Sequence, residues 1–453
     1  MEQDALRLLN KYDTPIPRYT SYPTVPYWEP ESISPEKWNE SVVNAFVSEA
    51  GALSIYVHLP YCENLCTFCA CNKRITKNHS VEDRYIDAVL REWSMYRGLF
   101  PSAPVIQEIH LGGGTPTFFS PANLQRLIEG LTNGANIPAD HEFSVEVHPN
   151  YTREEHLAAL RAVGFNRISL GVQDFDPEVQ FIINRMQSYE KTKEVVDWAR
   201  KHLFNSVNID LVYGLPRQTV RSVELTVEKL KSLAPDRIAF YSYAHVPWKS
   251  KGQRRYTEAD LPQASDKWLM YHTGRRLLLE QGFAAIGMDH FARTNDKLFL
   301  AAKNGTMHRN FMGYTTTNNQ LIVGLGASSI SDSWGAFVQN EKEVEAYEEK
   351  IERGEWPCIT GHWLSEEDKL LRKHILNLMC QGVTSLHDQL DEAFVKQSKE
   401  KLKQLEEDQL LELDNDTIRV TARGQMFIRN ICAALDARMW RKSNNEKLFS
   451  KAI

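Results

Sequence analysis

The sequence predicts an α/β protein with a parallel sheet and a small, mainly helical C-terminal region. Between about residues 53 and 243, short apolar segments alternate with amphipathic helical segments. Such alternation produces parallel strands joined by right-handed crossovers. After about residue 365 the pattern changes to helices and one hairpin. The strand-helix units number six, which is fewer than the eight of a closed barrel.

Each unit has its own signals. The predicted strands cover residues 53–59, 105–111, 142–147, 167–172, 206–213 and 237–243. Helical spacing of Tyr85, Val89 and Trp93 predicts the first helix, and Ser120-Pro121 marks the start of the second. A third helix over 153–163 ends at Gly164, and helical patterns follow around 195–198 and 223–233.

The two ends of the chain differ from this middle part. Prolines and aromatic residues scattered between Tyr12 and Trp28 predict an irregular arm over residues 1–50, either a wrapping segment or a lid. Ser365-Glu-Glu-Asp begins a helix, and two further helical stretches end near Leu411. A hairpin over 411–421 and a helix over 425–435 complete a winged-helix-like arrangement. We therefore expect three parts, 1–50, 51–360 and 361–453.

Composition excludes several classes of protein. The formal net charge is -6, which argues against a general nucleic-acid binder, and acidic residues near the hairpin argue against DNA binding there. No apolar run reaches the ~18 residues of a membrane span. Seven cysteines, four of them clustered, do not form a sensible disulfide framework. We expect a cytoplasmic protein in a reducing compartment.

The clustered cysteines predict the site of chemistry. Cys62, Cys66 and Cys69 are separated by three and two residues, so three thiolates from one loop can converge on one object. This arrangement favours an iron-sulphur cluster with one open iron over zinc, which prefers two separated pairs of ligands. Polar and glycine residues follow the ends of the predicted strands, where parallel barrels place their active sites; they are Cys62, Gly113, Glu146, Gln173, Asp210 and Ala244.

The cysteine spacing, with an aromatic residue before the last cysteine, resembles the signature of radical S-adenosylmethionine (SAM) enzymes. The fourth cysteine in Cys69-Ala-Cys71, followed by Asn72-Lys73, resembles the oxygen-independent coproporphyrinogen III oxidase family. The motifs Pro17-Arg-Tyr-Thr-Ser-Tyr-Pro23, Gly112-Gly-Gly-Thr-Pro116, Tyr213-Gly-Leu-Pro216 and His308-Arg-Asn-Phe-Met-Gly-Tyr314 agree with it. The resemblance covers essentially the whole chain and implies a six-unit partial barrel whose open side admits a large substrate.

The resemblance also implies the cofactors and their ligands. Cys62, Cys66 and Cys69 would hold one [4Fe-4S] cluster, and the family binds two SAM molecules in one site. The implied SAM-contacting residues are Tyr56, Phe68, Gly113, Gly114, Thr115, Glu146, Gln173, Arg185, Asp210, Ala244 and Ile330. Asp210 suits the ribose hydroxyls and Arg185 a SAM carboxylate. Cys71, Tyr56 and Glu146 are the implied catalytic residues.

The implied reaction is the oxidative decarboxylation of two propionate side chains of coproporphyrinogen III to vinyl groups, giving protoporphyrinogen IX. In the resembling oxidase, a 5'-deoxyadenosyl radical takes a hydrogen atom from each propionate. We expect a monomer that needs a flavodoxin- or ferredoxin-like electron donor, an electron acceptor and a basic pocket for the substrate carboxylates. Candidate residues for that pocket are Arg18, Lys73, Arg74, His290, Arg293, His308 and Arg309.

Some alternatives stay open at this point. Cys71 is either a non-ligand needed for activity or a packed side chain. His148 stands where the family pattern leads us to expect aspartate, and we interpret it as a strand-end residue beside the site. Cys358, Cys380 and Cys432 are expected in the core. Related radical SAM proteins methylate porphyrins, degrade haem or act as haem chaperones, but the chaperone lacks both Cys71 and the early arm motif. A plain zinc or cluster-bound structural protein would not explain the ordered polar strand ends.

Overall fold

The computed structural model describes residues 2–29, 34–386, 390–441 and 448–451. Its strands are β1 Ala52–Leu59, β2 Tyr61–Cys62, β3 Arg74–Ile75, β4 Val105–Gly113, β5 Glu142–Val147, β6 Arg167–Gln173, β7 Ser206–Tyr213, β8 Arg237–Ser242, β9 Phe283–Ile286, β10 His290–Arg293, β11 His308–Asn310, β12 Gly313–Thr315, β13 Ile322–Leu325, β14 Ile330–Asp332, β15 Ala336–Asn340, β16 Cys358–Trp363, β17 Val383–Ser385, β18 Leu411–Asp414 and β19 Thr417–Val420.

The helices surround the main sheet and build the C-terminal region. They are α1 Glu2–Tyr12, α2 Pro35–Ser48, α3 Glu82–Leu99, α4 Pro121–Thr132, α5 Glu154–Ala162, α6 Pro177–Ile182, α7 Tyr189–Lys201, α8 Val220–Leu233, α9 Ala264–Glu280, α10 Lys297–Lys303, α11 Val344–Glu352, α12 Glu366–Gln381, α13 Glu392–Glu407, α14 Ile428–Ala433 and α15 Ala437–Arg441. Among the described residues, no helix is long and apolar enough to cross a bilayer.

The main sheet contains the predicted parallel strands in chain order. Its order is β16-β15-β14-β13-β1-β4-β5-β6-β7-β8-β10-β9, and β1, β4, β5, β6, β7 and β8 pair in parallel. The predicted bounds 142–147 and 206–213 agree with β5 and β7, and the other four differ by one or two residues. The predicted α/β partial barrel of six units is confirmed.

The helix signals act as the sequence indicates. The side chains of Tyr85, Val89 and Trp93 are buried on α3 against the sheet. The Ser120 hydroxyl accepts the backbone N–H of Asn123 and caps α4, which begins with proline. Gly164 follows α5 with a φ of +98°, a conformation that only glycine adopts without strain.

Both edges of the sheet are extended by strands from the region after residue 243, for which the sequence made no prediction. β13 pairs in parallel with β1 and continues into the antiparallel strands β14, β15 and β16. At the other edge, β10 pairs antiparallel with β8 and with β9. The sheet therefore has seven neighbouring parallel strands, β13 and the six strands of the predicted units.

The N-terminal arm is only partly irregular, so the prediction for residues 1–50 was wrong over two stretches. Helices α1 and α2 flank an irregular segment. Ser34 caps α2, and Trp38, Val42 and Phe46 bury one helical face against the barrel. Helix α1 instead joins the C-terminal apolar cluster, which contains Leu8 and Leu9. Packing against two different partners, rather than the aromatic content, decides the conformation.

The C-terminal region matches the predicted winged-helix-like arrangement in most elements. Ser365 caps α12, and β18 and β19 form the hairpin, which β17 extends to three strands. The sequence predicts two helical stretches before Leu411, but the described residues contain one, α13, because residues Val383–Ser385 pair with β19 instead. The predicted last helix is a 3₁₀ turn followed by the short α14. The three-part division of the chain stays a prediction.

Candidate active site

The cysteine loop lies over the carboxyl ends of the parallel strands. It follows β1, and the pairing of β2 with β3 places Cys62 opposite Ile75 and closes the loop. Farther along the loop, the Thr67 backbone N–H donates to the Ile183 carbonyl at 2.9 Å. These backbone contacts hold the three cysteines at one end of the barrel.

Each predicted cluster ligand has a polar neighbour. The Thr115 hydroxyl donates to Cys62 Sγ at 3.3 Å, and Arg185 Nη1 donates to Cys66 Sγ at 3.4 Å. Burial raises the pKa of the Cys62 thiol to about 11. A hydrogen bond from the Cys71 thiol, together with the Lys73 charge, lowers the pKa of Cys69. Donors aimed at sulphur stabilise thiolates, the form that binds metal.

The three thiols fit a cluster better than a single ion. The loop supplies three cysteine thiols, whereas a structural zinc site ordinarily has four protein ligands. A [4Fe-4S] cluster is held by cysteine thiolates, and three of them leave one iron open. The donor set and its loop therefore suit a cluster.

The glycine loop after β4 is packed tightly against the cysteine loop. A Cβ on Gly114 would lie 2.6 Å from the backbone of Pro60, and one on Gly113 would lie 2.7 Å from the His58 ring. A Cβ on Gly112 would lie 3.0 Å from Glu146 Oε1. Only glycine fits here without displacing these neighbours, so the three glycines allow the loop to lie directly against the cysteine loop and Glu146.

Two hydrogen-bonded groups lie side by side on the first three barrel strands, and the stacked rings of Tyr56 and His110 connect them. Register places Tyr56 opposite His110 and His110 opposite Ser144. The His110 Nε2 donates to Glu146 Oε1 at 3.1 Å, and its Nδ1 accepts the Ser144 hydroxyl at 2.7 Å. The Tyr56 hydroxyl donates to His58 Nδ1 at 3.0 Å. Glu146 and His110 therefore line the barrel cavity, and Tyr56 stacks on the His110 ring beside them.

The Glu146 carboxylate is ionised and open to the cavity. Burial raises its pKa, but the hydrogen bond and charge of His110 and the Gly113 backbone N–H outweigh burial and hold the pKa below its ordinary value. Its side chain is 45% exposed, so oxygen lone pairs remain for a ligand.

Asp210 also lines the cavity, but its pKa is raised whereas that of Glu146 is lowered. Its carboxylate accepts the Ser169 hydroxyl at 3.0 Å and the Asn208 amide at 2.7 Å. Burial and the nearby Glu146 charge raise the pKa of Asp210 to about 6. Glu146 and Asp210 both line the cavity, and carboxylate oxygens favour a ligand that donates hydrogen bonds or carries positive charge.

Gln173 and Arg185 meet at the end of β6. A Cβ on Gly171 would lie 2.8 Å from both Arg185 Nη2 and Gln173 Nε2. Gln173 adopts a φ of +70°, and the irregular register there turns the strand end toward the cysteine loop. Arg185 Nε is buried without a partner among the described residues. The guanidinium therefore keeps a donor for a ligand beside Cys66.

Phe68 and Ala244 are joined by a residue that sequence reasoning missed. The Gln253 amide, fully buried, donates to the Phe68 carbonyl at 2.8 Å and to the Ala244 carbonyl at 3.2 Å. No local pattern marks Gln253, because it lies in a short 3₁₀ helix and its two partners are carbonyls of distant segments. His58 and His110 were also missed, although polar side chains alternating with apolar ones along β1 and β4 signal an inward face.

Ile330 lies apart from this group. It begins β14, on the far side of β13 from β1, and packs against the small apolar cluster of Trp28 and Phe337. The structure thus gathers ten of the eleven predicted SAM-contacting residues around the cysteine loop and the strand ends, with Ile330 at the neighbouring edge of the sheet.

A cavity of about 200 Å³ lies inside the barrel below these residues. Among the residues that line it are His110, Glu146, Asp210, Tyr241, His290 and Tyr314. Asn208 Oδ1 and His290 Nδ1 face this region, buried and without partners in the described part of the chain. Buried polar atoms of this kind ordinarily have partners, so the cavity suits a polar occupant.

The predicted carboxylate-binding residues fall into two sets. Arg18 donates to the Ser242 carbonyl at 2.7 Å at the end of β8, and Arg309 donates to the Arg18 carbonyl at 3.4 Å. Lys73 contacts the Cys69 and Cys71 carbonyls. Together with His290, these three lie near the cavity or the loop.

The other members of that set lie elsewhere. Arg74 pairs with Glu345 on the surface, and Arg293 stacks on Phe283 at the opposite end of the barrel. His308 is buried on β11. His148, the departure from the family pattern, accepts the Asn150 backbone N–H at 3.2 Å, which is a contact that an aspartate could also make.

Comparisons with known proteins agree with this geometry. Residues 56–230 match the model of the radical SAM superfamily, and residues 364–427 match the HemN C-terminal domain. The oxygen-independent coproporphyrinogen III oxidase of Escherichia coli is 38% identical over 99% of this chain and 98% of its own. Its counterpart from Synechocystis is 37% identical over 98% of this chain and 97% of its own.

A solved structure shows the same fold. The coproporphyrinogen III oxidase (HemN) from Escherichia coli, described as a radical SAM enzyme, superposes with a TM-score of 0.88 at 36% identity. The match covers 95% of this chain and 98% of that one. The chain therefore belongs to the family of oxygen-independent coproporphyrinogen III oxidases, within the radical SAM superfamily.

Proposed function

We propose that the protein oxidatively decarboxylates two propionate side chains of coproporphyrinogen III to vinyl groups and so forms protoporphyrinogen IX. The main support is the three-cysteine loop placed directly over a polar barrel cavity, in a chain related to these oxidases along almost its whole length. The fourth cysteine, Cys71, and the Pro17–Pro23 motif of the arm, which distinguish the oxidase from the haem chaperone, are both present.

The cofactors of the superfamily are a [4Fe-4S] cluster and SAM. We assign the cluster to Cys62, Cys66 and Cys69. When bound, the two cofactors supply the radical that removes one hydrogen atom from the ring-proximal carbon of a propionate. For each propionate, loss of that hydrogen atom, of carbon dioxide and of one electron to an external acceptor leaves the vinyl group.

The remaining predicted residues hold two SAM molecules in this proposal. The ionised Glu146 accepts hydrogen bonds from an amino group, and Asp210 accepts those of ribose hydroxyls. Arg185, with its unpaired Nε, binds a carboxylate. The glycine loop and the Phe68 and Ala244 segments shape the walls that exclude water.

Cys71 has a separate role in this proposal. Its thiol is hydrogen-bonded to Cys69, and that bond and the nearby Cys69 charge raise the pKa of Cys71 well above its ordinary value. The side chain therefore keeps its proton, and the residue is exposed on the loop. A protonated thiol in this place can give a proton to, or order, a bound substrate.

The substrate carboxylates are assigned to the basic residues at the barrel mouth. Arg18 is partly exposed, and its Nη1 lies 3.9 Å from Asp289 Oδ2. The Arg309 guanidinium stacks on the Tyr314 ring, and its Nε has no partner in the described region. Both guanidinium groups are planar forks suited to carboxylates. We also propose that the protein works as a monomer in the cytoplasm and takes electrons from a flavodoxin- or ferredoxin-like protein.

An anaerobic assay tests the reaction. The purified protein, with its cluster reconstituted, receives SAM, dithionite, an electron acceptor and coproporphyrinogen III, and the products are separated by chromatography. We expect protoporphyrin, after oxidation of the product, with about two 5'-deoxyadenosines for each product molecule, because each propionate needs its own radical.

Two variants serve as matched controls. Cys71→Ser should abolish vinyl formation, while Cys358→Ser, which removes a thiol on β16, should leave it unchanged. SAM cleavage without vinyl products, a methylated porphyrin, or tight haem binding without turnover would each contradict the proposal.

A further inference from the structure

Four large apolar side chains are exposed around the cysteine loop. They are Leu65, Phe181, Met186 and Trp248, with exposed fractions of 36%, 65%, 56% and 45%. Single exposed apolar residues are ordinary on protein surfaces, but several around one functional loop mark an interaction surface.

Leu65 belongs to the cysteine loop, and Phe181 and Met186 belong to a segment that is hydrogen-bonded to it. The Thr67 hydroxyl donates to the Ile182 carbonyl at 3.1 Å, immediately after Phe181. The Asn184 amide donates to the Leu65 carbonyl at 2.7 Å. The segment over 181–186 therefore packs along the outer side of the cysteine loop, with Arg185 pointing inward to Cys66 and Met186 outward.

The fourth comes from a basic segment on the other side of the loop. Trp248 begins a stretch in which the Ser250 hydroxyl donates to the Cys69 carbonyl at 2.9 Å. Gln253, in the same stretch, donates to the Phe68 carbonyl. The segment over 248–255 is thus held against Phe68 and Cys69 of the loop.

This segment carries a local positive charge. Lys249, Lys251, Arg254 and Arg255 are all exposed, and none forms an ion pair within the described ranges of the chain. The Arg255 guanidinium lies 5.6 Å from the centre of the Phe181 ring, which joins the cations to the apolar side chains. In a chain with a net charge of -6, four unpaired cations in eight residues attract an acidic partner.

We propose that this face, formed by the four apolar residues and the four cations, is the docking surface for an acidic one-electron carrier protein of the flavodoxin or ferredoxin class. This inference depends on the proposed function, because only a redox cluster at the loop requires such a partner. A carrier docked here would contact the outside of the cysteine loop, so only the loop would lie between it and a cluster. Cys66, which follows Leu65 in the loop, is partly exposed.

The size and composition of the face suit a transient complex. Electron-carrier encounters bury small interfaces, with an apolar centre and a charged rim that steers association. The exposed Phe181 and Trp248 supply aromatic anchors of the kind that dominate binding energy. The cations give the association rate a strong dependence on ionic strength.

The test measures carrier binding and electron delivery separately. The double variant Arg254→Glu/Arg255→Glu reverses two charges of the face, and Lys396→Glu/Lys403→Glu reverses two exposed charges on α13 as a matched control. The affinity of a purified acidic flavodoxin is measured by calorimetry at low and high salt, on proteins with and without the reconstituted cluster. We expect roughly tenfold or weaker affinity in the face variant at low salt, a smaller difference at high salt, and no change in the control.

Electron delivery is followed as SAM cleavage, with either reduced flavodoxin or dithionite as the electron source. The face variant should be slow with flavodoxin and normal with dithionite, because the small reductant needs no docking surface. Phe181→Gln should weaken flavodoxin binding, and Leu203→Gln, at a leucine 72% exposed elsewhere, should not.

The outcomes separate the two proposals. Equal flavodoxin affinity in the face variant and wild type, or an equal loss of cleavage with both reductants, would overturn the docking surface. If wild-type protein gives no vinyl product with dithionite, the proposed reaction fails, while the flavodoxin affinities still decide the docking surface.

Discussion

Charged side chains lie inside both ends of the barrel, at the mouth formed by the carboxyl ends of the parallel strands and at the floor formed by their amino ends. The partners of these side chains differ between the two ends. At the floor, Glu142 and Arg167 are in contact, and Arg237 pairs with Asp296 at 2.8 Å. At the mouth, Glu146 accepts the His110 ring N–H and Asp210 accepts the Asn208 amide, and both carboxylates retain acceptor capacity.

The pKa values show the same contrast. Burial, with the nearby Arg237, lowers the pKa of Arg167 to about 9, yet the opposite charges around it keep the floor close to neutral. At the mouth, burial and the nearby Glu146 charge raise the pKa of Asp210 to about 6. The floor thus stabilises the fold through buried ion pairs, and the mouth keeps carboxylate oxygens available for a ligand. Substitutions at the two ends should therefore affect different properties.

The largest expected effect is loss of the cluster at the mouth. In Cys66→Ser, a hard oxygen replaces a soft ligand, so iron content after reconstitution and SAM cleavage should fall to background. The free energy of unfolding of the cluster-free protein should change by less than about 0.5 kcal/mol. Iron analysis and urea unfolding measure the two properties. A cluster retained in full by this variant would rule out Cys66 as a ligand, and Cys432→Ser tests whether loss of a buried thiol alone destabilises the fold.

The largest effect on stability is expected at the floor. Arg237→Met leaves Asp296 and Glu142 buried without a full partner, and we expect a loss of about 3–5 kcal/mol in the free energy of unfolding. Arg237 is 3% exposed, whereas Arg200 forms a pair with Asp236 nearer the surface. The control Arg200→Met should lose at most about 1 kcal/mol in urea unfolding. Equal losses in the two variants would remove the distinction.

Glu146→Gln tests the mouth without removing a side chain. Glutamine preserves the shape but not the charge, so SAM affinity should fall roughly 10- to 100-fold, as expected for loss of a hydrogen bond to a charged group. Stability should change little, because the side chain is 45% exposed and the glutamine oxygen can still accept the His110 N–H. In Glu142→Gln at the floor we expect the opposite, with lower stability and unchanged SAM affinity. Calorimetry and urea unfolding distinguish these patterns.

The raised pKa of Asp210 makes the free energy of unfolding depend on pH. Its folded pKa of about 6 lies above its ordinary 3.8, so the folded protein binds more protons than the unfolded chain between these values. The Asp210 contribution to stability therefore falls as pH rises from about 4 to 6, by up to about 3 kcal/mol. Asp210→Asn should remove this dependence from the apoprotein and also weaken SAM binding above pH 6. If the wild type and this variant respond to pH in parallel, the raised pKa is wrong.

The smallest effect is expected at His148. Aspartate can accept the same Asn150 backbone N–H, so His148→Asp should change stability and SAM cleavage by less than about 0.5 kcal/mol and twofold, respectively. His148→Ala loses the acceptor and should cost about 0.5–2 kcal/mol. A large loss of cleavage in His148→Asp with stability intact would instead give this histidine a role in the site.

The cysteine loop and the barrel strands were predictable because their signals are local. The spacing of Cys62, Cys66 and Cys69 needs no distant segment, and the alternation of polar and apolar residues along β5 and β7 indicates their bounds. Helix α1 was not predicted, because its apolar face is covered by the C-terminal region rather than by its neighbours in sequence. Gln253 was missed for the same reason, since its role depends on two segments that meet only in the fold.

By itself, the sequence determined the order of strands and helices, the cysteine loop over the strand ends and, through resemblance, the family. These features depend on periodicity and spacing within short segments. Only the tertiary structure decided that Tyr56 lies opposite His110, that Arg237 pairs with Asp296 at the floor, and that the cations near Arg255 border the loop. Each of these contacts joins segments far apart in the chain, and their register and close approach follow from the packing of the whole barrel.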